Sequence, residues 1–113
     1  MTTINYTSDV DAKTGLVTVE WAGLSAGDDG QEFDCHGLQV ASCHMWGTFG
    51  GNLSVRASNE LTPTNFTEIF GGGGPGIQAR IDGIPFMYVR SIKPFALSGI
   101  SSVGVSIIFK IVR

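Results

Sequence analysis

The sequence predicts an all-β protein with a single domain, built as an antiparallel β-sandwich or jelly roll. Its 113 residues include 16 glycines and only 15% charged residues, a composition that suits short strands joined by tight turns. Several segments alternate apolar and polar residues with a period of two, the pattern of strands with one buried face. A chain of this length forms one domain that buries about two thirds of its unfolded surface.

The N-terminal part of the chain differs from the rest. Residues 1–14 are polar and rich in turn-forming residues, so we expect a loose tail or an arm that orders on another molecule. The sandwich domain is assigned to residues 15–113. Its first strand is predicted at residues 16–21, LVTVEW. The buried face of this strand carries Val17, Val19 and Trp21.

A second strand is predicted over residues 38–49. Apolar side chains occupy positions of both parities, which is typical of a central strand covered on both faces. Trp46 shares its parity with Leu38 and Val40, and Trp21 shares its parity with two valines. The pattern therefore favours a core position for both tryptophans.

The stretch GTFGGNLSVRASNE joins this strand to the next one. Gly50-Gly51 predicts a two-residue hairpin, because primed turns need a positive φ that glycine adopts without a Cβ clash. The returning strand, residues 52–58, should direct alternate side chains inward, and Ser58-Asn59-Glu60 should end it because Asn and Ser satisfy the backbone locally. The predicted inward residues are Leu53, Val55 and Ala57.

Four more strands are predicted towards the C-terminus, at residues 66–70, 77–81, 86–93 and from about residue 103 onwards. The glycine-rich loop GGGGPG separates the first two. The last strand has the clearest alternation. Its inward face carries Val103, Val105, Ile107, Phe109 and Ile111.

Charge and hydropathy exclude several function classes. The formal net charge is −3, and the Lys and Arg residues are scattered apart from Arg90 and Lys93, so no nucleic-acid partner is predicted. The longest apolar stretch, Val103–Val112, is about half the length of a membrane-spanning helix and contains Lys110. The N-terminus lacks the basic and apolar regions of a signal peptide, which predicts synthesis in a cytoplasm.

Two Cys-His pairs invite comparison with a zinc site, because thiolate and imidazole are common zinc ligands. The four candidate ligands are Cys35, His36, Cys43 and His44. Eight residues of extended strand span roughly 26 Å, so these groups converge only if the chain folds back near Gly37. We favour buried thiols in a reducing compartment, and a zinc site or a Cys35–Cys43 disulfide remain as alternatives.

No catalytic pattern is found, and we predict neither an enzyme nor a cofactor. Gly71, Gly73 and Gly76 match a dinucleotide-binding pattern, but Pro75 interrupts the loop and a strand follows it. A carbohydrate platform is the alternative binding function, because exposed aromatic rings on a sandwich can stack on sugars. Its candidate residues are Trp21, Trp46, Tyr6 and Tyr88.

Three segments of residues 38–113 carry a resemblance to a known class of proteins. They are GTFGGNLSVRASNELTPTNFTEI, FMYVRSIKPFAL and the terminal VGVSIIFKIVR. Together with the glycine-rich loop between the first two, they resemble the small β-sandwich virion proteins of tailed bacteriophages. In that class, capsid decoration or cement proteins are similar in size and in being all-β. The first 14 residues and the Cys-His region have no counterpart in this pattern.

The resemblance implies a non-enzymatic function on the virion. Decoration proteins commonly form trimers on the outer capsid and bridge neighbouring capsomers, so the implied partners are the major capsid protein and other copies of this chain. A ligand that binds only the assembled lattice opposes disassembly by its binding free energy. A tail, neck or fibre position is the alternative within the class. As contact residues we expect Tyr6, Arg90, Lys93 and Phe95.

Overall fold

The computed structural model describes residues 2–35, 37–79 and 87–111, and these form twelve β-strands and no helix. Two sheets in which antiparallel pairing dominates pack into one compact domain, so the predicted β-sandwich is confirmed. The strands are β1 Thr3–Ile4, β2 Tyr6–Asp11, β3 Leu16–Leu24, β4 Asp29–Gly30, β5 Phe33–Asp34, β6 Gln39–Phe49, β7 Leu53–Ser58, β8 Thr67–Gly72, β9 Gly76–Ala79, β10 Met87–Tyr88, β11 Ser91–Ala96 and β12 Ile100–Lys110.

Each sheet contains six strands. Sheet I has the order β1-β4-β11-β7-β8, with β5 also paired to β11. Sheet II has the order β10-β6-β12-β3-β2, with β9 also paired to β6. The long strands β6, β12 and β3 form the centre of sheet II, and the β1–β4 pair in sheet I is parallel.

The polar N-terminal stretch contributes strands to both sheets. β1 pairs with β4 in sheet I, and β2 runs antiparallel to β3 along the edge of sheet II, from Tyr6 opposite Trp21 to Asp11 opposite Leu16. A tight turn closes this hairpin, in which the Gly15 backbone N–H donates to the Asp11 carbonyl at 2.9 Å. Polar side chains are compatible with an edge strand because its outer face meets water. Much of the predicted arm therefore pairs within its own chain.

The core lies between the two sheets. The predicted inward side chains of β3, β7 and β12 are buried, except that of Ile111, which follows β12 and is half-buried. In β7 the intervening Ser54 and Ser58 are buried as well, so burial in this strand does not alternate. Trp21 is fully buried, and its indole N–H donates to the Gln31 carbonyl at 3.0 Å, which satisfies its one polar atom. The other large, fully buried side chains include Leu24, Val40, Leu53, Val55, Ile92, Val103, Val105, Ile107 and Phe109.

An irregularity in β6 changes which of its residues face the core. Phe109 pairs with Val40 and Ile108 pairs with Ser42, so Ala41 is an extra residue in β6 and forms a β-bulge. Before the bulge Val40 faces the core, and after it the buried positions become Cys43 and Met45. The outer face of β6 is only partly covered, so the prediction that both faces are buried is wrong.

The predicted Gly50-Gly51 hairpin is also wrong, because β6 belongs to sheet II and β7 to sheet I. The chain crosses between the sheets at these glycines and packs against the corner that leads from β11 to β12. The Gly50 backbone N–H donates to the Gly99 carbonyl at 2.9 Å. A Cβ on Gly51 would lie 1.9 Å from the Ser98 carbonyl oxygen. Glycine is required here for close backbone contact, and neither Gly50 nor Gly51 has a positive φ.

The strand predicted at residues 86–93 is divided between the sheets. β10 pairs with Gln39 and Val40 in sheet II, whereas β11 pairs with β7 in sheet I. Between them the Arg90 backbone N–H donates to the Ser58 carbonyl, which carries the chain across to sheet I. The strands predicted at 66–70 and 77–81 correspond to β8 and β9. Residues 80–86 lie outside the described part of the chain, so the predicted ends at Ile81 and Phe86 do too.

Candidate functional site: a cleft at one end of the sandwich

A cleft of about 740 Å³ lies at one end of the sandwich, between the segment that follows β7 and the segment around β10. Two large apolar side chains on its rim are unusually exposed, Leu61 at 83% and Tyr88 at 55%. Pro63 and the half-buried Val89 add apolar surface. We call this surface the end cleft.

The loop that carries Leu61 is held by the carboxylate of Glu60. One oxygen, Oε1, accepts the backbone N–H groups of Thr64 at 2.9 Å and Asn65 at 2.6 Å, and the other accepts the Asn65 side-chain amide at 3.0 Å. These hydrogen bonds favour the charged carboxylate and lower the pKa of Glu60 to about 2, with the two backbone donors contributing most. Leu61 is therefore presented from a preorganised loop.

Asn59 connects this loop to the segment on the other side of the cleft. Its side-chain oxygen accepts the Arg90 backbone N–H at 3.1 Å, and its carbonyl accepts the Arg90 Nε–H at 3.2 Å. The sequence predicts Ser58-Asn59-Glu60 only as the end of a strand. In the structure these residues also order both sides of the end cleft. The hydrogen-bond acceptors on the side chains of Asn59 and Glu60 were the only feature of the sequence that pointed to this cleft.

The charged residues that line the end cleft are Glu32, Asp34 and Arg90. A surface with exposed apolar side chains and charges of both signs can bind a complementary protein surface, because burial of the apolar groups supplies affinity and the charges set orientation. Among residues 2–35, 37–79 and 87–111, no three His, Cys, Asp or Glu side chains come close enough together to hold a metal ion.

The four predicted contact residues lie in three places. Arg90 lines the end cleft, whereas Lys93 and Phe95 lie on the outer face of sheet I, where Lys93 Nζ contacts Asp29 Oδ2 at 2.9 Å. Tyr6 is half-buried and packs edge-on against Trp21, with ring centroids 5.9 Å apart. The structure therefore does not combine these residues into one surface.

The Cys-His pairs do not form a shared site in the described residues. Cys35 and Cys43 are buried free thiols, and burial raises the pKa of each to about 12. The negative charge of Asp34 adds to the effect at Cys35. His44 is exposed on the face of β6 opposite to Cys43, as strand alternation requires. His36 lies outside the described residues.

The aromatic candidates for a carbohydrate platform also separate. Trp21 belongs to the core as predicted, and Tyr88 is exposed at the end cleft. The core position predicted for Trp46 is wrong, because the bulge at Ala41 reverses the parity of the following residues and Trp46 lies half-buried on the outer face of sheet II. There its ring is adjacent to His44, with ring centroids 5.2 Å apart.

Neither a scan against models of known protein families nor a search of curated proteins finds a match for the chain. Within the described residues there is also no helix of the length and hydropathy needed to span a membrane.

Proposed function

We propose that this chain is a non-enzymatic structural protein of a tailed-phage virion that binds the outer capsid surface and stabilises the head. The sequence resemblance over residues 38–113 suggests the class, and the β-sandwich is consistent with it. The observation that carries the proposal is the end cleft. Of four large apolar side chains that are exposed in the described residues, two, Leu61 and Tyr88, line it together.

Such a cleft suits a protein partner better than a small substrate. Its two exposed apolar residues would lose their contact with water only against another surface, and burying one such side chain contributes roughly 1.5–3 kcal/mol. The Glu60 hydrogen bonds fix the Leu61 loop in advance, so little conformational entropy is lost on binding. We take the major capsid protein as the partner and a homotrimer as the bound form.

Quantitative mass spectrometry of purified virions tests the position of the protein. A copy number comparable to that of the major capsid protein supports a decoration function, whereas a few copies per virion indicate a tail, neck or fibre position. Absence from virions refutes the proposal. Native mass spectrometry tests the trimer, which should have three times the 12.0 kDa mass of the chain.

A pair of matched substitutions tests the end cleft. Leu61→Asp places a charge on the proposed contact surface and should weaken binding to undecorated capsids by at least about tenfold, which corresponds to about 1.4 kcal/mol. Ile77→Asp is the control, because Ile77 is 71% exposed but lies on the outer face of sheet II. Equal effects of the two substitutions would exclude the end cleft as the capsid contact.

A further inference from the structure

A second surface lies on the outer face of sheet II, centred on Trp46. Trp46 pairs with Gly104 across β6 and β12. A Cβ on Gly104 would lie 2.2 Å from Trp46 Cε2, 2.3 Å from Cζ2 and 2.7 Å from Nε1. Cε2 is bonded to both other atoms and is the nearest of the three, so the Cβ would meet the face of the indole and not its edge. The ring therefore covers the Gly104 backbone with one face, and its other face is directed outward.

Polar side chains form a row beside this ring. On three adjacent strands, the cross-strand pairs align His44 of β6 with Ser106 of β12 and Ser106 with Glu20 of β3. Residues paired across strands share a face of the sheet, so all three side chains lie on the outer face with Trp46. His44 is exposed, and Ser106 and Glu20 are partly exposed.

The row continues to both edges of the sheet. Ile77 of β9 pairs with His44, and Thr7 of β2 pairs with Glu20, so five residues cross the sheet in line. Four strand spacings of about 4.8 Å give the row a length of about 19 Å. It carries an imidazole, two hydroxyls and a carboxylate, a set that both donates and accepts hydrogen bonds.

We propose that this surface, the Trp46 platform, binds a neutral oligosaccharide, with one pyranose ring stacked on the indole. A pyranose presents a flat face of C–H groups to an aromatic ring and a rim of hydroxyls to polar neighbours. The platform offers a matching arrangement, because the indole face is apolar and four of the five residues in the row beside it are polar. The polar part of the row, from His44 to Thr7, spans three strand spacings or about 14 Å, which is the length of about three sugar residues.

The two tryptophans provide an internal control for a binding test. We would titrate the ¹⁵N-labelled full-length protein with cellotriose, maltotriose, mannotriose and triacetylchitotriose, each up to about 10 mM, and follow both indole N–H resonances. At least one trisaccharide should shift the Trp46 resonance in a saturable manner. The Trp21 resonance should stay unchanged, because Trp21 is fully buried. If none of the four shifts the Trp46 resonance, the proposal is refuted.

Substitutions then locate the site. Trp46→Ala should weaken binding of the trisaccharide at least about tenfold, and Glu20→Gln and Ser106→Ala, which keep the ring, should each weaken it severalfold. Tyr88→Ala alters only the end cleft and should leave saccharide binding unchanged. Unchanged affinity in all three platform variants would place the saccharide elsewhere and overturn the assignment. The surface variants Glu20→Gln and Ser106→Ala keep the test decisive if Trp46→Ala does not fold.

Discussion

Substitution of Gly51 tests the corner that joins the two sheets. A Cβ at this position would lie 1.9 Å from the Ser98 carbonyl oxygen and 3.0 Å from its carbon. Both atoms belong to the backbone of the other corner, so neither can move away by rotating a side chain. Overpacking of this kind costs about 1–3 kcal/mol, sometimes more. With an unfolding entropy of about 2.1 cal/mol/K per residue over 113 residues, Gly51→Ala should lower Tm by about 4–13 °C.

Thermal unfolding of three variants, followed by circular dichroism, tests this reasoning. Gly74→Ala is the matched control, because a Cβ there meets no atom within 4 Å other than those of its two chain neighbours, and its φ is not in the left-handed region. It should leave Tm unchanged or raise it slightly. Gly51→Asn distinguishes a crowded corner from a primed hairpin turn. Primed turns accept Asn at positive φ, whereas a crowded corner excludes the Cβ of Asn as it excludes that of Ala. If Gly51→Asn restores the stability lost in Gly51→Ala, or if Gly51→Ala matches Gly74→Ala, the packed corner is refuted.

Three further predictions concern single groups. The pKa of Glu60 falls from 4.5 to about 2 on folding, so the stability that its carboxylate contributes is present above about pH 4.5 and is lost as the pH falls towards 2. The difference in Tm between the unsubstituted protein and Glu60→Gln should therefore shrink over this range of pH. Cys35 and Cys43, with pKa values near 12, should react with a thiol reagent at about pH 8 only after unfolding in guanidinium. Lys93→Met leaves the Asp29 carboxylate without its cation and should lower the free energy of unfolding by about 1–3 kcal/mol. Adding Asp29→Asn should restore part of this loss, and chemical denaturation of the single and double variants measures the two effects.

The sequence predicted the strands that obey one simple alternation. In the predicted segments of β3 and β12, every second residue is apolar without interruption, so the buried face could be assigned from the pattern alone. The buried residues of β3 are Val17, Val19 and Trp21, and they pair with Phe109, Ile107 and Val105 of β12. In β6 the extra residue Ala41 changes the parity, and a bulge leaves no mark in a pattern of mixed apolar residues. Trp46 was assigned to the wrong face for that reason.

Connections between strands were harder to predict than the strands. Gly50-Gly51 is consistent with a hairpin turn and equally with a close crossing of two corners, and the choice depends on Ser98 and Gly99, nearly fifty residues away in the sequence. The candidate site shows the same limit. Arg90 was predicted as a contact residue, but Leu61 was not, because its exposure depends on a loop that Glu60 holds in place.

The end cleft and the Trp46 platform lie near different ends of β6, so we expect them to bind independently. Tyr88, at the end cleft, pairs with Gln39, whereas Trp46 is seven residues further along β6, a distance of roughly 20 Å in a strand. A capsid bound at the end cleft would therefore leave the outer face of sheet II accessible from solution. Saccharide binding should then persist in Leu61→Asp, and capsid binding should persist in Trp46→Ala. Loss of both activities in each variant would contradict the assignment of two separate sites, because the two surfaces are too far apart along β6 to act as one.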